Sequence, residues 1–130
     1  MELDVLIAGA GPAGLSAALI LGRCHRKVLV CGEARQRNRF SHAIHGLLGH
    51  DGRPPGEYLD AARRELARYP TVTLRTTTVT DITRNGPIFE FACADGTRGT
   101  AGKILLATGI CDELPPVSYT HLTLPTNREV

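Results

Sequence analysis

No C-x-x-C pair occurs in this sequence. The four cysteines, Cys24, Cys31, Cys93 and Cys111, stand far apart, so neither a dithiol redox motif nor a zinc knuckle is visible. Cys31 and Cys93 read as small buried strand residues. Cys24 ends a helix, and Cys111, just past a strand, is the one to test for reactivity. Charge of one sign is equally scarce. Fifteen Lys and Arg against 13 Asp and Glu leave a formal net charge of +2, too little to argue for a nucleic-acid or membrane-surface partner. Lysine itself is confined to Lys27 and Lys103. No apolar run is long enough to span a bilayer, and no charged leader or cleavage site precedes the first strand, so a cytoplasmic location is expected. With 130 residues the chain amounts to one domain at most, long enough to bury a core.

What is present is concentrated at the start. Leu3 to Ala8 forms a short apolar run suited to a strand buried on both faces of a parallel sheet. Gly9-Ala10-Gly11-Pro12-Ala13-Gly14 follows and fits G-x-G-x-x-G. A helix is expected from Pro12 to about Arg23, then a second strand over Lys27–Cys31. This is the βαβ unit that binds the diphosphate of a dinucleotide. Gly9 turns the chain off the strand, Gly11 lets backbone approach a pyrophosphate, and Gly14 lets the helix lie close to the sheet. The first helical amides have no partner inside the helix and carry partial positive charge, so an anion is held there without a dedicated lysine. Pro12 fits at the helix start, where an amide proton would be unpaired anyway.

Glu33, just past the second strand, is the one acid placed to accept hydrogen bonds from a ribose. Arg35, Arg37 and Arg39, with Asn38 among them, form a basic cluster. It suits an adenosine 2′-phosphate, the diphosphate of FAD, or simply a solvated loop. The loop from Phe40 to Pro55 carries His42, His45 and His50 among glycines. No carboxylate or cysteine completes a ligand set, so no metal is assigned, and a cofactor-covering role is expected instead. A helix should run from Pro54-Pro55-Gly56-Glu57 to about Arg68, with Leu59, Ala62, Leu66 and Tyr69 on the core face. Asp60 with Arg64, and Glu65 with Arg68, are placed to pair along its exposed side. Strands follow at Thr71–Arg75, Thr77–Thr83 and Ile88–Cys93, the last two joined by an Asn85-Gly86 turn. Asp95-Gly96 turns the chain into Thr97–Thr100, completing a three-stranded antiparallel insert. A separate buried strand, Lys103–Ala107, then leads to Thr108 and Gly109. From about Val117 the sequence has no helical period and resembles the translation of a sequencing adapter. Residues 1–116 are therefore read as the domain and 117–130 as a non-native or disordered tail.

The run D-V-L-I-A-G-A-G-P-A-G-L-S-A-A-L resembles the FAD-binding segment of thioredoxin reductase-like flavoproteins, within the pyridine nucleotide-disulfide oxidoreductases. R-N-R-F, H-G-L-L-G-H-D-G-R-P-P-G-E, A-R-Y-P-T-V and I-L-L-A-T-G-I-C-D-E-L-P are similar to a bacterial branch of that group. The resemblance covers Leu3 to Pro115. It implies an α/β, Rossmann-like FAD-binding domain: a parallel sheet with flanking helices and a small antiparallel β insert. It also implies that Gly9, Gly11, Pro12, Ala13 and Gly14 cradle the FAD pyrophosphate and that Glu33 faces the adenosine ribose. Asn38 and Gly46 would lie along the flavin, Val79 would meet the adenine through its backbone, and Ala107, Thr108 and Gly109 would close over the cofactor. In such enzymes NAD(P)H reduces the flavin, which passes electrons to a disulfide or another acceptor. Members are often homodimers.

Two departures stand out. The family more often has its acid where Gly32 stands. The resemblance further implies a second βαβ unit for NAD(P)H, a C-x-x-C pair in the reductases proper and a returning C-terminal piece. None lies in this sequence, which therefore reads as an N-terminal portion, incomplete and not competent for turnover by itself. No catalytic residue is assigned. Two other readings stay open at this level: an NAD(P) dehydrogenase domain with the arginines on a 2′-phosphate, and a non-catalytic dinucleotide-binding module.

Overall fold

The computed structural model describes residues 1–33, 41–110, 113, 115 and 116. The arginine cluster with Asn38, Cys111 and the tail from residue 117 lie outside the described residues, and so do the expectations attached to them. Six strands and two helices follow in chain order: β1 (Glu2–Ala8), α1 (Pro12–Arg23), β2 (Val28–Cys31), α2 (Pro55–Leu66), β3 (Val72–Arg75), β4 (Val79–Asn85), β5 (Ile88–Cys93) and β6 (Arg98–Leu106). The sheet has the order β3-β2-β1-β6-β5-β4. Neighbours from β3 to β6 run parallel, and β6-β5-β4 run antiparallel. It is thus one mixed α/β sheet of the Rossmann-like class.

Burial explains the order. Leu6 and Ile7 of β1 and Val28, Leu29 and Val30 of β2 are all at 0% exposure. These apolar strands occupy the centre because either face buries them. Val5, Ile7, Val28 and Val30 pack against Leu15 and Ala18 of α1 and Leu59 and Leu66 of α2. On the opposite side Leu6, Leu29 and Cys31 meet Phe91, Cys93 and Ala101. β2 and β5 are three positions apart in the sheet, roughly 14 Å if it were flat. Contact between them therefore shows that the antiparallel end folds back over the parallel part. Asp4 accepts the Lys27 N–H at 2.7 Å, which fixes where β2 begins beside β1.

Several local expectations change. Thr97–Thr100 and Lys103–Ala107 are not two strands but one, β6, whose first half pairs with β5 and whose length pairs with β1. Its second half is not buried: Leu105 is 38% and Leu106 68% exposed. The reason is register, since β5 reaches only as far as Ala101 and leaves Gly102–Leu106 with one strand neighbour among the described residues. The β4–β5 turn centres on Gly86 and Pro87. Only Gly86 has positive φ, at 62°, the pattern of a type II′ turn and not of an Asn-Gly type I′ turn. Asp60 pairs with Arg63 at 3.3 Å and not with Arg64, and α2 stops at Leu66, two residues before Arg68. Among the described residues no helix is long and apolar enough to cross a membrane.

The core makes a direct prediction. Leu29→Ala removes a fully enclosed side chain on the face that β5 covers and should cost about 2–5 kcal/mol. Leu48→Ala, at a position 98% exposed, should fall within about 0.5 kcal/mol of the parent. Urea unfolding of the two variants measures both, and equal costs would contradict this placement of the core.

Candidate functional site

Because β1, β2 and β6 are parallel, their carboxyl ends meet at one edge. There the chain leaves β1 through Gly9 and enters α1 at Pro12. Gly9 adopts φ 123°, a conformation that side chains rarely take. Its amide donates to the Cys31 carbonyl at 2.7 Å, and the Ala107 amide donates to the Ala8 carbonyl at 2.8 Å. The three strand ends are thereby stitched together. A Cβ on Gly9 would stand 1.9 Å from the Ala107 carbonyl oxygen, and one on Gly14 would stand 1.9 Å from the Gly9 carbonyl oxygen. Strand end, turn and helix start are thus in backbone contact.

The helix start is bare. Gly11 is the N-cap, no side chain caps the helix, and its first turn carries no acid. Leu15 N–H makes the first helical bond, to the Gly11 carbonyl, at 3.0 Å. Gly11 has φ −82° and ψ −171°, extended backbone that any residue adopts, so its lack of a side chain is not demanded by local conformation.

This end of the sheet opens into a cavity of about 720 Å³. Gly9, Gly11, Pro12, Ala13, Glu33, Val79, Ala107, Thr108 and Gly109 all line it. Gly14 lies one layer below, against the Gly9 carbonyl and the Ile7 side chain. Gly46 does not line the cavity. It sits in the loop between β2 and α2, with φ 83° and its amide donating to Asp51 Oδ1 at 2.9 Å. Asn38 lies outside the described residues. Among the described residues no three His, Cys, Asp or Glu side chains converge as a metal site. His45 faces Asp51 at 3.6 Å, and His50 meets Arg53 at 3.1 Å and the edge of Tyr58.

Sequence reasoning missed Ala10, Cys31, Gly32 and Thr78, which also line the cavity. Gly32 carries its own signal. A Cβ there would approach the Ala10 amide nitrogen to 2.4 Å, so an acid at this position would collide with the glycine-rich turn, and Glu33 is the carboxylate that reaches the cavity wall. Thr78 and Val79 are held by the following turn: Ala94 N–H donates to the Thr78 carbonyl at 2.9 Å, and Asp95 N–H donates to Thr77 Oγ1 at 3.2 Å. Hydrogen bonds from Thr97 hold the Asp95 carboxyl below its usual 3.8, with Arg75, 3.7 Å away, adding to the effect. Burial, reinforced by contact with Cys93, pushes the Cys31 thiol from 9.0 up to about 12.

A glycine turn at the carboxyl edge of parallel strands, a bare helix start and an adjoining cavity define a dinucleotide-binding α/β domain. The comparisons with known proteins carry the assignment one step further. The pyridine nucleotide-disulphide oxidoreductase family matches residues 3–124, and this chain belongs to that family. The matched stretch runs past residue 116 into the segment set apart above. The chain is 36% identical over 127 residues to a thioredoxin reductase of Gibberella zeae, covering 88% of this chain and 37% of that protein. It is 41% identical over 115 residues to thioredoxin reductase aclD of Aspergillus oryzae, covering 86% and 36%. Among solved structures, an oxidoreductase from Agrobacterium tumefaciens superposes with a TM-score of 0.85 at 43% identity, covering 93% of this chain and 41% of that one. The chain spans about a third of the length of the curated relatives it matches.

Two predictions follow from the geometry. Gly9→Ala and Gly14→Ala should each destabilise the fold by about 1–3 kcal/mol or more through overpacking against backbone, and Gly9→Ala should cost the more because of its positive φ. Denaturant unfolding that finds either within about 0.5 kcal/mol of the parent contradicts the close approach. The second concerns pH. A folded-state thiol pKa raised above its unfolded value adds stability that is whole below the unfolded value and is lost as pH rises through the folded one. Thermal stability should therefore decline from about pH 9 toward about pH 12, and Cys31→Ala should flatten that decline.

Proposed function

We propose that this chain is the FAD-binding portion of an NAD(P)H-dependent flavin oxidoreductase resembling thioredoxin reductase. The observation that carries the reading is the backbone contact between the Gly9 turn and Ala107, which brings the Ala107-Thr108-Gly109 segment to the mouth of the same cavity as the α1 N-terminus. The family uses FAD together with NADPH. The cavity's residues suit such a group. Its pyrophosphate would lie against the amides of Ala13 and Gly14, where helix polarity favours an anion and no first-turn acid opposes it. Glu33 would accept from the adenosine ribose, and Val79 would meet the adenine through its backbone. Ala107, Thr108 and Gly109 would cover the cofactor.

When bound, the flavin supplies the hydride and electron-transfer chemistry, while the protein supplies position and electrostatics. Residues of this chain hold the adenosine and pyrophosphate end. Nicotinamide binding and a dithiol for disulfide exchange would be functions of the rest of a longer parent, read as cytoplasmic and homodimeric. This chain by itself should not oxidise NADPH at enzymatic rates, on the order of 1 per second or more. Gly46 would lie along the flavin, beyond the adenosine and pyrophosphate end.

The test is a titration with FAD, followed by flavin absorbance and quenching of flavin fluorescence. Binding by the parent and its loss in Gly11→Val, with folding retained because the Gly11 backbone is extended, is the expected result. NADP binding in place of FAD would favour a dehydrogenase. Unchanged FAD binding in Gly11→Val would overturn the site.

A further inference from the structure

Arg75 ends β3 at one edge of the sheet and Val79 starts β4 at the other, yet only residues 76–78 join them. The two edges therefore come within about 15 Å of each other here, four Cα steps along the chain. The short link ends at the cavity, where Thr78 and Val79 form part of the wall. Asp95, in the turn between β5 and β6, ties this link down. Its Oδ1 accepts the Thr97 N–H at 2.9 Å, and its Oδ2 faces Arg75 Nη1 at 3.7 Å. Its amide donates to Oγ1 of Thr77 at 3.2 Å, and Thr77 is 4% exposed.

The register decides which way Val79 presents its backbone. Ala94 N–H donates to the Thr78 carbonyl at 2.9 Å, while the Cys93 amide and carbonyl are taken up by Thr97 and Gly96 of their own turn. Val79 and Cys93 thus stand opposite each other without exchanging hydrogen bonds. In such a pair the N–H and C=O point away from the partner strand, and among the described residues β4 has no strand on that side. Val79 therefore offers one donor and one acceptor at the cavity wall. An adenine edge matches them, because N1 accepts and the 6-amino group donates. Hypoxanthine carries the reverse order, with N1–H donating and O6 accepting. A strand held in one place suits one base and sets the other's groups against like groups, whereas a strand free to slide adapts to both.

We propose that Asp95 is a positioning residue that fixes the Val79 backbone and so sets the preference for adenine at this site. The proposal rests on reading the cavity as the adenosine end of a dinucleotide site. Asp95 touches no ligand and acts through Thr77 and the link. It does so by hydrogen bonding more than by charge, since its pair with Arg75 is long and the two side chains are 38% and 44% exposed. Asn at this position keeps an oxygen for the Thr97 amide, as turns of this kind allow, and Ala does not.

The experiment titrates the ¹⁵N-labelled chain with ADP and, separately, with inosine diphosphate, and reads both dissociation constants from amide shifts. The parent chain should prefer ADP by about tenfold, the discrimination expected of a good bidentate pair. Asp95→Ala should lose most of that preference, chiefly through weaker ADP binding, while the Gly11 and Ala13 amides still shift. Asp95→Asn should retain it. A purely structural role would lower stability and leave the preference of the folded protein unchanged. Equal binding of the two nucleotides by the parent, an unchanged preference in Asp95→Ala, or Asp95→Asn behaving as Asp95→Ala does, overturns the proposal and leaves the dinucleotide reading standing. Failure of the parent to bind either nucleotide overturns that reading and the proposal with it. Should Asp95→Ala not fold, Thr77→Val decides: a lost preference supports the role of Asp95, and an unchanged one overturns it.

Discussion

The backbone of residues 8–14 lies in direct contact with the ends of two other strands, and the site depends on that closeness. Gly9 bonds to the end of β2 and touches the carbonyl of Ala107 beyond β6, while Gly14 touches Gly9. No side chain could be interposed at either place. Removing side-chain bulk there brings the amino end of α1 to the carboxyl edge of the sheet. Its unpaired amides and partial positive charge then face a cavity, not a packed neighbour. Glu33 is the acid among the residues lining that cavity.

The remainder of the fold serves that edge. α1 and α2 cover one face of the central strands and hold the glycine turn against them. On the other face β4 and β5 fold back, enclosing Leu6, Leu29 and Cys31 and delivering Thr78 and Val79 to the cavity wall. The same fold-back sets Cys31 against Cys93. β6 joins the two regions as a single strand, parallel to β1 and antiparallel to β5. Its apolar second half leaves Leu105 and Leu106 open to solvent.

The first thirty-three residues were legible because local signals agree there: apolar runs of strand length, glycines at fixed spacing, proline at the helix start and an acid after the second strand. Other features were fixed by partners distant in the chain. The union of Thr97–Thr100 with Lys103–Ala107 follows from pairing to β1, nearly a hundred residues earlier. The exposure of Leu105 and Leu106 follows from the reach of β5 and not from their own character. Gly32 read as a missing acid, yet its role is steric and set by Ala10. Gly46 entered by resemblance alone and is not among the residues that line the cavity. Asn85-Gly86 did mark a turn, but Pro87 shifted the turn by one residue, and propensity for a dipeptide does not reveal that shift.

Amide NMR of the ¹⁵N-labelled chain, with and without FAD, puts the central claim to the most direct test, because it reports on the backbone groups themselves. The amides of Gly11, Ala13 and Gly14 should show the largest shifts, joined by Glu33 and Thr108, while Gly86 at the far hairpin stays in place. Shifts confined to the loop around Gly46, or a helix start that does not respond to FAD, would contradict the claim that bare main chain at the front of α1 holds the diphosphate.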